Sequence, residues 1–366
     1  MSLFSLFKRS EPPSASVAAA RARAQTPATA PSVTPAVPAE PPPPPRVRGP
    51  VPPELAAYRP VKAGQLDAAR REVLIKLFQT IPRPPRLMDK LLSPDFVSKA
   101  SSSELADLIV AEPVLAAKLL GTINSPMYGL RNPVASVEQA VTLLGLTAVR
   151  SLCLQYLMAH SFKADSAARQ QILDTIWQSS GLASEITQRL ASAMGLPDQA
   201  SLVSQVVLTF LGRLGTVATM PRGLLDKIPA RDMLARADAE QAVLGVSATE
   251  VGRLLMAHWG LPDVVIHDAC EVESVLYTPY ANMEPAKACR LGLCYLAARL
   301  GERLANDPTL RPETIDITQD NETELYQFLG YLEHPALAGV QRHWTSPPMI
   351  QAIHRLRRAA QGSEAP

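Results

Sequence analysis

The stretch Ala106–Gly129, ADLIVAEPVLAAKLLGTINSPMYG, decides the fold. Leu108 and Ile109, then Leu115, Leu119 and Leu120 past Pro113, recur at three- and four-residue steps. That period belongs to a helix with one buried face; a half-buried strand would alternate every second residue. The run halts at Asn124, followed by Ser125 and Pro126. Proline cannot continue a helix and biases the residue before it to extended geometry. Asn124 is expected to adopt a left-handed backbone and close the helix with its amide, and Tyr128 to bury its ring beneath the next helix. A helix-turn-helix corner accounts for all of these residues. Asn124, Ser125, Tyr128, Gly129 and Arg131 also form the candidate interaction corner.

Outward from this stretch the chain is punctuated by helix caps. Ser101 stands three residues before Glu104, the spacing of a capping box, and Ser136 with Gln139 repeats it. Gly145 is placed to end that second helix, and LTAVRSLCLQYLMAH restarts at Thr147. A long helix over 167–194 presents Ile172, Ile176, Ala183, Ile186 and Leu190 on one face. Further helices are expected near 199–219, 248–259 (with a Ser247–Glu250 capping box), 263–273, 284–305, 321–331 and 347–360. Alternating β-branched runs and Asn-Gly hairpins are nearly absent, so the fold class is all-α.

Before this body lies a different composition. From Glu11 to about Pro53 the chain is Pro, Ala, Ser and Thr, with PPPPP at 41–45. Such a segment buries too little apolar area to offset its ordering entropy and reads as a disordered spacer. Residues 1–62 are taken as tail and linker, 63–275 as the main domain, and 276–366 as helices completing the helical body. The tail carries eight Lys or Arg against three Asp or Glu, leaving the remainder with 28 basic and 31 acidic residues. A mildly acidic body argues against nucleic-acid binding, which needs clustered basic residues. Leu3, Phe4, Leu6 and Phe7 before Lys8 and Arg9 form a short amphipathic turn, which leaves two readings of residues 2–9, a membrane contact and a frayed start. The frayed start is preferred, because the turn is short and weakly basic. No run approaches roughly 18 continuous apolar residues. Cys153, Cys270, Cys289 and Cys294 form no CxxC pair and read as small apolar core residues in a reducing cytoplasm.

IPRPPRL, ADLIVAEPVLAAKLLGTINSPMYG and SVEQAVTLLGLTAVRSLCL resemble the N-terminal half of an HDOD domain, the HD-related output domain of bacterial signalling proteins. The resemblance continues through IWQSSGLASEITQRLA, VVLTFLGRLGTVA and LGVSATEVGRLLMAHWGLPDVV. It implies a multi-helix, HD-related bundle behind the Pro-rich tail. HD phosphohydrolases hold divalent metals with a His, a His-Asp dyad and a further Asp. By similarity to that pattern, the first His position falls at Ser179, the dyad at Thr209 and Phe210, and a later His at Ala248. None makes a plausible ligand set, and residues 161–257 hold no histidine.

The literal pair His267-Asp268 is a decoy: His258 is nine residues away and separated by Pro262. Walker loops, nucleophile elbows and dinucleotide fingerprints are missing. The resemblance therefore implies a cytoplasmic, non-catalytic regulatory module that binds unknown protein partners, with no cofactor and no metal. Two other readings stay open. One is a divergent HD-type cyclic-dinucleotide or nucleotide phosphodiesterase. The other is a metal-free nucleotide sensor, for which Arg150 and Arg213 are the suggestive cations, though both are read as solvated helix-surface residues.

Overall fold

The computed structural model describes residues 49–362, apart from positions 126, 127, 129, 131, 230, 231, 320 and 321. Residues 2–9 and most of the Pro-rich tail therefore lie outside the described residues, as do Gly129 and Arg131 of the candidate corner. Among the described residues there is no strand. The first part holds α1 Pro53–Ala57, α2 Ala68–Gln79, α3 Leu87–Leu92, α4 Pro94–Lys99, α5 Ser102–Val110, α6 Pro113–Ile123, α7 Val137–Leu144 and α8 Leu146–Ala159. The long α9, Ala167–Ala193, leads to α10 Gln199–Thr209, α11 Leu211–Thr219, α12 Arg222–Leu225, α13 Met233–Leu244, α14 Ala248–His258 and α15 Asp263–Glu271. After a 3-10 turn at Val272–Leu276 come α16 Pro285–Asn306, α17 Phe328–Tyr331, α18 Val340–Trp344 and α19 Pro347–Gly362.

Local chemistry sets several boundaries as expected. Ser101 Oγ accepts from the Glu104 amide at 3.2 Å, and Glu104 returns the bond to the Ser101 amide at 2.7 Å, completing the box on α5. Gly145 ends α7 and opens α8 at φ +84°, a conformation in which a side chain would be strained. Two other boxes take a different form. Ser136 caps Gln139, but the Gln139 side chain bonds the Ala135 amide instead. Ser247 makes no side-chain cap, and the Glu250 carboxylate is engaged instead by Arg253 and by the Ala63 amide. The expected helix at 199–219 breaks at Phe210, and the one at 321–331 is a 3-10 turn at Thr323–Leu325 followed by the four-residue α17.

Three glycines draw the central helices into contact, and the site depends on them. α9 lies along α16. A Cβ on Gly301 of α16 would come within 2.5 Å of the Ser179 carbonyl oxygen on α9. α11 crosses α14 where Gly212 meets Gly252, and a Cβ on Gly212 would fall 1.8 Å from the Ala248 carbonyl oxygen. Only glycine lets backbones approach that closely. Residues 199–219 are long and apolar enough to cross a membrane, yet 78% of the most apolar window is buried inside the body. The C-terminal helices complete the core, with α18 and α19 both packing on α9.

The boundary expected at residue 62 falls inside folded structure. Leu55 of α1 and Tyr58 are each 3% exposed, and Ala63 is 2% exposed. Burial of these side chains holds the segment against the body despite the Pro-rich composition that precedes it. Among the cysteines, Cys153 and Cys294 are buried and Cys270 and Cys289 half-buried; all four are free thiols.

Candidate functional site

α10, α11, α13, α14, α16 and the 272–276 turn enclose a cavity of about 40 Å³. Thr209, Phe210 and Ala248 line it, so three of the four positions assigned to the HD ligand set converge. Ser179 is buried on α9, directly behind Gly301, and its hydroxyl donates to the Thr175 carbonyl at 2.7 Å. Thr209 Oγ1 likewise donates to a backbone carbonyl, Val206, at 2.7 Å. Phe210 and Ala248 offer no donor atom to a metal. The residues at these positions do not fit a divalent metal, which needs imidazole or carboxylate ligands converging on one point.

Guanidinium and carboxylate groups take that space instead. The Glu302 carboxylate on α16 accepts from Arg213 at 2.7 Å, Arg236 at 3.1 Å and Arg299 at 2.6 Å. Its side chain is 6% exposed. Burial pushes its pKa up, but the three arginines reverse this and hold it well below the usual carboxylate range. Glu240 also lines the cavity; its carboxylate accepts from the Ala248 amide at 2.6 Å, and burial raises its pKa. Glu324 accepts from the Met233 amide at 3.1 Å and is raised by burial too. Glu273, half-buried on the cavity wall, is pushed up to about 7 by burial and by Glu240, against the opposing pull of Arg299 and Arg236. The guanidinium groups that line the cavity are already paired with an internal carboxylate, which weakens them as a site for phosphate. A cavity of 40 Å³ has room for a few water molecules, not a nucleotide.

Both arginines singled out in the sequence depart from the expected surface placement. Arg213 is the Glu302 partner just described, with a side chain 12% exposed. Arg150 on α8 is buried and donates to the Leu91 carbonyl at 3.2 Å, the Ala200 carbonyl and Ser204 Oγ at 2.6 Å. Burial lowers its pKa to about 10, and it ties α3, α8 and α10 together. Arg236, Arg299, Glu240, Glu302 and Glu324 were not anticipated. The available signal was Arg299 and Glu302 standing i,i+3 within the apolar run LCYLAARLGERLA of α16.

The remaining sequence candidates are separate from this cavity. His267 is exposed and pairs with Glu271 at 3.0 Å, whereas Asp268 forms a two-pronged pair with Arg290 at 2.8 Å. Among the described residues no group of three or more His, Cys, Asp or Glu side chains is arranged to hold a metal ion. At the corner, Asn124 is not left-handed: its φ is −80° and ψ 0°. Its side chain spans the turn, donating to the Val134 carbonyl at 2.8 Å and accepting from the Val134 amide at 2.7 Å. That clamp, rather than a special backbone angle, closes the corner. Ser125 Oγ donates to the Thr122 carbonyl at 2.6 Å. Tyr128 is half-buried, and burial raises its pKa to about 12.

The HDOD domain family matches residues 81–274, more than half of the chain. The chain belongs to the HDOD family. An HDOD domain protein of unknown function from Geobacter sulfurreducens superposes with a TM-score of 0.53 at 20% identity, over 81% of this chain and 98% of that one. A candidate phosphohydrolase from Shewanella amazonensis superposes with a TM-score of 0.52 at 17% identity, over 78% of this chain and 97% of that one. At such identities the likeness is one of fold. No curated protein is significantly similar to the chain. The HDOD match ends at 274, so Arg299 and Glu302, which fill the cavity, come from beyond the matched segment.

Proposed function

We propose that this HDOD protein is a non-catalytic regulatory module of bacterial signal transduction that works by binding other proteins in the cytoplasm. One observation carries the reading: the positions assigned to the HD metal ligands are Ser179, Thr209, Phe210 and Ala248, and the cavity that the last three line is also lined by arginines closed on Glu302. Hydrolysis by the HD route needs activated water on a metal held by imidazole and carboxylate groups. Four free thiols are consistent with a reducing compartment.

The phosphodiesterase reading would need another ligand set, and the nucleotide-sensor reading a larger, cationic cavity. Partner capture tests the binding half of the proposal: the tagged full chain and a chain lacking residues 1–60 are cross-linked in their native cell. The proposal expects the same signalling protein to be recovered repeatedly with the full chain, with cross-links mapped to the helical body. Recovery of no protein above the untagged control would overturn it.

A further inference from the structure

Residues 49–66 run as a strap over the elements that wall the arginine cavity. Leu55, Tyr58, Ala63 and Leu66 are buried, while Arg59, Lys62 and Gly64 between them are exposed. The strap's main chain is held by side chains of the body, not by a sheet or a long helix. The Val61 amide donates to Gln241 Oε1 of α13 at 2.6 Å, and the Ala63 amide to Glu250 Oε1 of α14 at 2.7 Å. Upstream, Tyr326 donates its hydroxyl to the Gly49 carbonyl at 2.8 Å. Tyr58 packs its ring 6.0 Å from that of Tyr277, next to the 272–276 turn. Its buried hydroxyl has no protein partner and sits within the electrostatic reach of Glu240 and Glu273 on the cavity wall.

We infer that the groove between α13, α14 and the 272–276 turn is a peptide-binding surface, occupied in cis by residues 52–66, and that partners gain it by displacing this strap. The inference rests on the binding-module reading and names its surface. Side-chain acceptors that capture main-chain N–H groups accept an extended segment of almost any sequence, and buried anchors then select among segments. The ligand class is therefore a short peptide that carries an apolar residue three positions before an aromatic one across a single helical turn, as in Leu55 and Tyr58, and continues as an extended stretch. The five-residue α1 is too short to hold itself helical, so the strap's order depends on these few anchors. It also joins the body directly to the Pro-rich segment, where a partner pulling on the tail would act.

Hydrogen exchange on the full chain tests the release, and a fluorescein-labelled peptide of residues 50–66 tests the groove. The strap amides are expected to exchange by local opening, about tenfold or more faster than those of α16. The labelled peptide is expected to bind the Leu55→Ala/Tyr58→Ala chain about tenfold or more tightly than the wild-type chain, whose own strap competes at high effective concentration. Strap amides that exchange only together with α16 would overturn the inference. So would equal peptide affinity for both chains while α16 protection is unchanged. If the variant loses α16 protection, the wild-type exchange rates decide alone. Neither readout involves metal content or turnover, so failure here leaves the non-catalytic reading to be judged separately.

Discussion

Replacing Glu302 by Leu removes the carboxylate that Arg213, Arg236 and Arg299 share, each held within 3.1 Å of it. The shape of the site is nearly kept, so the loss is electrostatic. Removing one partner of a buried ion pair costs about 3–5 kcal/mol, because the remaining charge stays desolvated. Native domains are stable by only about 5–15 kcal/mol, so the variant loses a large share of its margin. For a body of this size that corresponds to a fall in Tm of roughly 5–8 °C. Scanning calorimetry at pH 7 in low and high salt measures it, and the loss is expected to be nearly independent of salt because the cluster is buried. The pH dependence has a definite sign. Glu302 is held below the ordinary carboxylate range, so its stabilisation is present above its unfolded pKa and is lost as pH falls toward the lower folded value. The wild-type chain should thus lose stability in acid more steeply than Glu302→Leu. A loss below about 1 kcal/mol, the value of an exposed pair, would refute the buried-cluster account.

Glu273 gives the opposite pH dependence. Its folded pKa of about 7 lies above the unfolded value, so its contribution is present below the usual carboxylate pKa and is lost as pH rises through about 7. Denaturation midpoints of Glu273→Gln should fall less between pH 5 and pH 8 than those of the wild-type chain, and an unchanged slope would show that Glu273 does not titrate there. Asn124→Ala removes both bonds to Val134 and should cost about 1–2 kcal/mol, with faster exchange of the Val134 amide. Wild-type protection of that amide in the variant would mean the clamp contributes nothing to the corner.

Local chemistry is where the sequence was most readable. The box at Ser101 and Glu104, the glycine at 145 and the apolar period of α5 and α6 depend on neighbours within four residues, and each occurs as expected. The resemblance placed Thr209, Phe210 and Ala248 in a single cavity although they lie on α10, α11 and α14 or their junctions. What fills that cavity was not legible. Glu302 lies 66 residues from Arg236 and 89 from Arg213, and helical spacing does not reveal which face a lone arginine presents. Arg150 was misread for the same reason. The strap was hidden by composition: Leu55 and Tyr58 stand among prolines and alanines, and the contacts that hold the segment, Tyr58 on Tyr277 and the Val61 and Ala63 amides on Gln241 and Glu250, are with residues far away in the chain.

Metal content and turnover measured in one sample test the central claim most directly. The full chain, purified without chelator, is assayed for Mn, Fe, Zn and Ni and for hydrolysis of cyclic dinucleotides with and without added metal. Arginines closed on Glu302, with serine, threonine, phenylalanine and alanine at the ligand positions, predict no stoichiometric metal and no turnover. About one or two metals per chain, with hydrolysis abolished by chelator, would contradict the account and make this HDOD protein an enzyme.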